Sequence, residues 1–187
     1  MPAERVAAAV AVAVAATCWH DLAAHEREAV HGLVVEPAQV EFAGTTATAI
    51  RACETGNPAD VRGLALRVDG RVVGFVVLKR GGAAPAWAAP GDAVVSGLRI
   101  DASLQGRGIG TAALHALAAW VRENWPECAR FALRVDDDNV AAIRAYAKAG
   151  WVEIGERRLG RVGPERTLAL ALRQDAPATR PLPVGGL

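Results

Sequence analysis

The sequence predicts an α/β (α+β) fold, one mixed central sheet with helices packed on it. Three observations carry this reading. First, Leu64–Val68 and Arg71–Leu78 are apolar runs of strand length joined by Asp69-Gly70. That dipeptide tolerates the positive φ angles of a type I′ turn, so the two runs form a β-hairpin. Second, Ala93–Ile100 reads as a strand and runs through a glycine-rich turn into a helical stripe of Ile109, Ala113, Leu117, Trp120 and Val121. Third, Phe131, Leu133 and Val135 alternate at strand period, before another helix and two more strands. The full order is strand, helices, hairpin, strand, helix, strand, helix, strand, strand. It requires mixed pairing and excludes a pure Rossmann alternation.

The elements follow in turn. Val6 to Ala16 is wholly apolar, and Val10, Val12 and Val14 alternate with alanine, which predicts a buried strand. A secretory leader would need a positive start, but Glu4 and Arg5 cancel. A membrane span would need about 20 apolar residues. Asp21 to His31 reads as a short helix stopped by Gly32, and Pro37 suits the first turn of a second one within Leu33–Phe42. Gly44 to Asp60 reads as polar and turn-rich around Gly56-Asn57-Pro58, and Arg80 to Gly91 as a loop around Trp87. Gly108 to Asn124 is a helix. Asn139 to Ala149 is another, capped by Asn139 and closed by Gly150. Trp151–Ile154 and Thr167–Leu172 are the last strands. Residues 1–174 form one domain, and 175–187 read as a flexible C-terminal tail.

Composition narrows the function. The chain has 187 residues, 52% hydrophobic and 22% charged, which suits one globular domain rather than a disordered segment. Its formal net charge of +1 shows no basic excess for nucleic acid or a membrane surface. Cys18, Cys53 and Cys128 lie far apart, in neither redox nor zinc spacing, and fit a reducing, cytoplasmic setting. His20, His25, His31 and His115 offer no i,i+4 pair, so no metal is expected.

The chemistry sits in Gln105-Gly106-Arg107-Gly108-Ile109-Gly110-Thr111, between a strand and a helix. Glycines there admit a ligand close to the backbone, and free N–H groups at a helix start favour phosphate. A glycine-rich turn without any ligand would use the same residues. The Rossmann fingerprint fails, because its third glycine would fall on Thr111 or Ala113, and a P-loop would need a lysine that is absent. The segment Gln105–Gly110 instead resembles the acetyl-CoA signature [QR]-x-x-G-x-[GA] of the GCN5-related N-acetyltransferases, the GNAT superfamily. The likeness continues in Asn139-x-x-Ala142-x-x-x-Tyr146-x-x-x-Gly150-Trp151, which matches that family's second motif.

The resemblance implies a GNAT fold, with a mixed sheet of about six to seven strands splayed around acetyl-CoA and about four flanking helices. A β-bulge parts two neighbouring strands, and the cofactor lies in the V. Leu98 and Ile100 would pair with its pantetheine arm. Gln105, Gly106, Arg107, Gly108, Ile109, Gly110 and Thr111 would hold its pyrophosphate, with Asn139 and Ala142 on the other side. Tyr146, the chain's single tyrosine, matches the acid that protonates the departing thiolate. Its alternative is a core tyrosine with a locally satisfied hydroxyl. The acceptor implied is the primary amine of a small molecule or peptide. Leu33-x-Val35-x-x-x-Gln39-x-x-Phe42 is similar to a segment of bacterial diamine and polyamine acetyltransferases, with Glu36 and Glu41 placed to attract a cation. The resemblance also leaves a homodimer through edge-strand pairing open to the chain.

One family feature is missing. The glutamate that many relatives carry before the glycine turn falls on Ser96, and neither Val95 nor Gly97 replaces it. Three explanations stand. Another carboxylate, such as Glu41, Glu54 or Asp92, acts through water; the acceptor amine has a low pKa; or the chain is a non-catalytic acyl-CoA-binding sensor. Cys53 and Cys128 have no activating histidine nearby in sequence, so direct transfer is expected rather than a covalent acyl-cysteine.

Overall fold

A computed structural model describes residues 12–161 and 163–173, without the side chains of Ala38, Gln39 and Phe42. The strands are β1 (Ala15–Cys18), β2 (Val61–Val68), β3 (Arg71–Lys79), β4 (Asp92–Ile100), β5 (Arg130–Asp136), β6 (Val152–Leu159) and β7 (Pro164–Ala171). The helices are α1 (Ala24–His31), α2 (Pro37–Ala43), α3 (Thr46–Thr55), α4 (Ile109–Asn124) and α5 (Val140–Lys148). The strands form one sheet in the order β1-β2-β3-β4-β5-β7-β6, with β4 and β5 parallel and every other pair antiparallel. This is the mixed sheet expected.

The β2–β3 hairpin supplies the centre. Asp69 (φ 49°) and Gly70 (φ 76°) make the tight turn, and alternate residues of β3 then divide between the two faces. Val76 and Leu78 join Leu114, Leu117 and Val121 of α4 on one face. Phe75 and Val77 join Trp19, Val30, Ile50 and Cys53, under α1 and α3, on the other. Both faces are thus dry, which is why β2 and β3 read as continuous apolar runs.

Two expectations shift. Regular pairing in the first strand starts at Ala15, with Val12 and Val14 packed against the core ahead of it; residues 6–11 lie outside the described residues, as does the tail 175–187. The segment 44–60 contains α3. Its apolar residues are few, but Ala49, Ile50 and Cys53 share one buried face, and Thr45 caps it by accepting a hydrogen bond from the Thr48 N–H at 3.1 Å.

One ion pair ties the closed end of the β4–β5 pairing. Asp92, 4% exposed, takes two hydrogen bonds from Arg130, at 2.8 and 3.0 Å, across the start of β4 and β5. Asp92→Ala would leave that guanidinium unpaired. We expect a loss of about 3 kcal/mol in stability, measured by urea denaturation.

Candidate active site

Strands β4 and β5 pair only from Asp92 to Val94 and from Arg130 to Ala132, and then diverge. The cause is a bulge: Phe75 faces Arg99 and Val77 faces Ser96, so Gly97 and Leu98 share the place opposite Val76. Gly97 adopts φ +64°, and a Cβ there would lie 2.7 Å from the Ala43 carbonyl, so the bend needs glycine twice over. Arg99, 2% exposed, ties the end of α2 to this bend by donating from Nη2 to the Ala43 carbonyl at 2.8 Å. Further along, the Asp101 N–H reaches the Val73 carbonyl at 2.9 Å. Ile100 and Gly74 are therefore a non-hydrogen-bonded pair, and the polar backbone groups of Ile100 face the gap.

The glycine turn is anchored before it reaches the helix. Asp101 accepts hydrogen bonds from the Ser103 hydroxyl, at 2.6 Å, and from the Val34 N–H, at 3.0 Å. These bonds, the serine hydroxyl first, hold its carboxyl below its ordinary pKa. The Gln105 side chain donates from Nε2 to the Ile100 carbonyl at 3.1 Å, so this motif residue shapes the loop. Gly108 takes a left-handed conformation at the start of α4 and offers no capping side chain. The first helical bond runs from the Ala112 N–H to the Gly108 carbonyl, leaving Ile109, Gly110 and Thr111 N–H groups without intrahelical acceptors.

The space before those amides is open. A Cβ at Gly106, Gly108 or Gly110 would meet nothing within 4 Å. At Gly106 and Gly108 the positive φ explains the glycine. At Gly110 neither conformation nor packing does, although glycine costs a helix up to about 1 kcal/mol relative to alanine. A cradle of N–H groups unpaired among the described residues and kept clear of side chains fits a pyrophosphate.

The opposite wall comes from α5. Asn139 caps it, its Oδ1 accepting from the Ala142 N–H at 3.2 Å. Tyr146 packs at 5.7 Å on Trp151, which rests at 5.1 Å on Phe131. Burial pushes the Tyr146 phenol up to about 12. Its hydroxyl has no hydrogen-bond partner among the described residues and lies beside the cleft.

Between the walls runs a cleft of about 420 Å³. Leu98, Ile100, Gln105, Gly106, Gly108, Ile109, Gly110, Thr111, Asn139, Ala142 and Tyr146 all line it, whereas Arg107 does not. Sequence reading missed Ala43 and two α5 cations, Arg144 and Lys148, which also line it. Their i,i+4 spacing could have revealed the pair. A smaller cavity of about 70 Å³ continues into the splay, lined by Val95, Gly97 and Leu98 of β4 and Leu133 to Asp136 of β5. Ala43, Leu98, Asn139 and Tyr146 border both spaces.

The other singled-out residues fall elsewhere. Asp92 is committed to Arg130, and Glu41 and Glu54 are exposed and line neither cavity. Trp87 supports the Arg134 guanidinium at 4.8 Å. Cys53 donates its thiol to the Ala49 carbonyl, and burial pushes that thiol up to about 12. Burial raises Cys128 as well.

The comparisons agree with this geometry. A sequence model of the acetyltransferase (GNAT) family matches residues 19–151. No curated protein matches the sequence. Among solved structures, the chain is similar to aminoglycoside acetyltransferase AAC(6')-Ib in complex with coenzyme A, at 20% identity and a TM-score of 0.68 over 85% of this chain and 95% of that one. It is also similar to the ribosomal-protein-S18-alanine N-acetyltransferase from Escherichia coli, at 20% identity and a TM-score of 0.57 over 90% and 98%. The GNAT domain of S. lividans PAT matches at 23% identity and a TM-score of 0.61, over 83% and 89%. With the family match spanning most of the chain and the splayed sheet matching in fold, the chain belongs to the acetyltransferase (GNAT) family.

Proposed function

We propose that the protein transfers an acetyl group from acetyl-CoA to the primary amine of a small molecule or peptide, by direct attack in a ternary complex. The observation that carries this reading is the position of Tyr146, which borders both the cleft beside the glycine cradle and the cavity within the splay. One space suits the co-substrate and the other the junction where an amine arrives. The amides of Ile109 to Thr111 would hold the pyrophosphate, with Arg144 and Lys148 adding positive charge along the same wall. The edge of β4 at Leu98 and Ile100 would orient the pantetheine. Bound acetyl-CoA supplies the thioester carbonyl that accepts the amine. Tyr146 would present its proton to the departing sulfur. The cysteines stay out of the chemistry, since burial keeps Cys53 and Cys128 as thiols.

Similar proteins acetylate acceptors as different as aminoglycosides and an alanine of ribosomal protein S18, so the fold leaves the acceptor open. Three free cysteines fit a cytoplasmic protein, and among the described residues no helix is long and apolar enough to cross a membrane. One observation favours a second reading, an acyl-CoA sensor without turnover: Ser96 stands where the family resemblance would place a glutamate in many members. Release of CoA from acetyl-CoA, across polyamines, amino acids, aminoglycosides and peptide N-termini at pH 6 to 9, decides between them. Turnover confined to one amine class is the expected outcome. Acetyl-CoA binding without turnover on any acceptor would favour the sensor.

A further inference from the structure

Three aspartates follow one another at the end of β5, and the fold treats each differently. Asp137 is held by Arg157 and Arg166. Asp138 is exposed. Asp136 alone lines the cavity inside the splay, together with Tyr146 and Asn139. Its Oδ1 is shielded from solvent and has no hydrogen-bond partner among the described residues. A carboxylate oxygen withdrawn from water without a donor is costly, and such groups usually report a missing partner.

Strand geometry says where that oxygen sits. Leu133 and Val135 belong to the core under α4 and α5, so Arg134 and Asp136 project to the opposite face. Ser96 pairs with Val77, whose side chain belongs to that opposite face as well. Asp136 and Ser96 therefore share one face, on the two arms of the V.

We propose that Asp136 is the general base of the transfer, serving from β5 in place of the carboxylate that β4 lacks at Ser96. This rests on the amine acetylation proposed above. An acceptor ammonium entering the splay supplies the donor that Oδ1 lacks. Of its three protons, one remains on the product amide, one passes to Asp136 before the C–N bond forms, and one is shed as that bond forms. The C–S bond breaks while Tyr146 hydrogen-bonds the departing sulfur, which takes up one proton. One proton in all is released to water. The neighbouring charged groups are Arg134 on β5, stacked on Trp87, and Glu165 on β7, which pairs with Asp136 in register.

The test is Asp136→Asn, compared at pH 7 on two acceptors of the class that the parent acetylates. One carries a lysine-like amine of pKa about 10.4 and the other an α-amine of about 8. General-base catalysis contributes roughly 10²- to 10⁴-fold. We expect kcat/KM to fall about a hundredfold for the first acceptor and less than about tenfold for the second, which is already partly neutral. The acetyl-CoA Kd, measured by calorimetry, should stay within about twofold, because this residue lies in the splay and not at the cradle. A structural role would lower both acceptors alike, so equal losses, or none, overturn the proposal. A parent protein inactive on every amine overturns it together with the amine-acetylation reading. If Asp136→Asn melts below the parent, Asp136→Ser gives the same comparison, since the ratio between acceptors decides.

Discussion

Gly108→Glu is expected to abolish acetyl-CoA binding while leaving a folded protein. Position 108 faces open space, so the new side chain meets no protein atom within 4 Å of its Cβ. The left-handed backbone at φ +79° costs a non-glycine residue about 1–2 kcal/mol, a tolerable loss for a domain of this size. The carboxylate, however, would stand before the unpaired amides of Ile109, Gly110 and Thr111, where it fills the anion site and repels a pyrophosphate. Calorimetry should show the Kd raised at least about a thousandfold, equivalent to roughly 4 kcal/mol. Gly110→Ala is the matching control. Its backbone is already helical, so the unliganded protein should gain up to about 1 kcal/mol in stability. Acetyl-CoA should bind it about as tightly as the parent, because alanine satisfies the same position of the signature. If Gly108→Glu also binds as tightly as the parent, the cradle does not hold the pyrophosphate.

Local signals made most of this fold legible. Asp69-Gly70 specified the hairpin by turn chemistry, and the stripe from Ile109 to Val121 specified α4 by period. Helix α3 was hidden because its buried face is only Ala49, Ile50 and Cys53, and Gly56-Asn57-Pro58 dominates the segment's appearance. The motif residues are neighbours in sequence, so the cleft at Gln105–Thr111 could be read directly, as could Asn139, Ala142 and Tyr146 on one helix. Arg107 sits inside the motif and outside the residues that line the cleft. Arg99 and Asp101 act at a distance, on Ala43 and Val34 respectively, and no spacing in the chain announces contacts of that range. Asp136 is an intermediate case. Alternation from Phe131 places it on the face away from the core, but only the divergence of β4 and β5 turns that face into a cavity.

Tyr146→Phe is expected to slow turnover by about 10- to 100-fold without altering acetyl-CoA affinity. The ring's place is set by Trp151 and Phe131, and phenylalanine keeps that stack. What disappears is one hydroxyl. Burial pushes its pKa up to about 12, whereas a free thiol lies near 8.5. Complete proton transfer to a departing thiolate would then run uphill by roughly 5 kcal/mol, so the phenol acts mainly by hydrogen bonding to the charge developing on sulfur. A hydrogen bond to a charged group contributes about 1.5–3 kcal/mol, which gives the stated range. The sign of the pKa displacement fixes the pH behaviour too. A phenol raised to about 12 keeps its proton throughout pH 6 to 9, so parent and variant should show profiles of the same shape, displaced vertically. A limb that vanishes in the variant would mean that Tyr146 itself titrates in that window, and unchanged turnover would remove it from the chemistry. Because Tyr146 and Asp136 line one cavity and act on different atoms of the same transfer, removing both should cost less than the product of the two single losses if each acts only while the other holds the reactants in place.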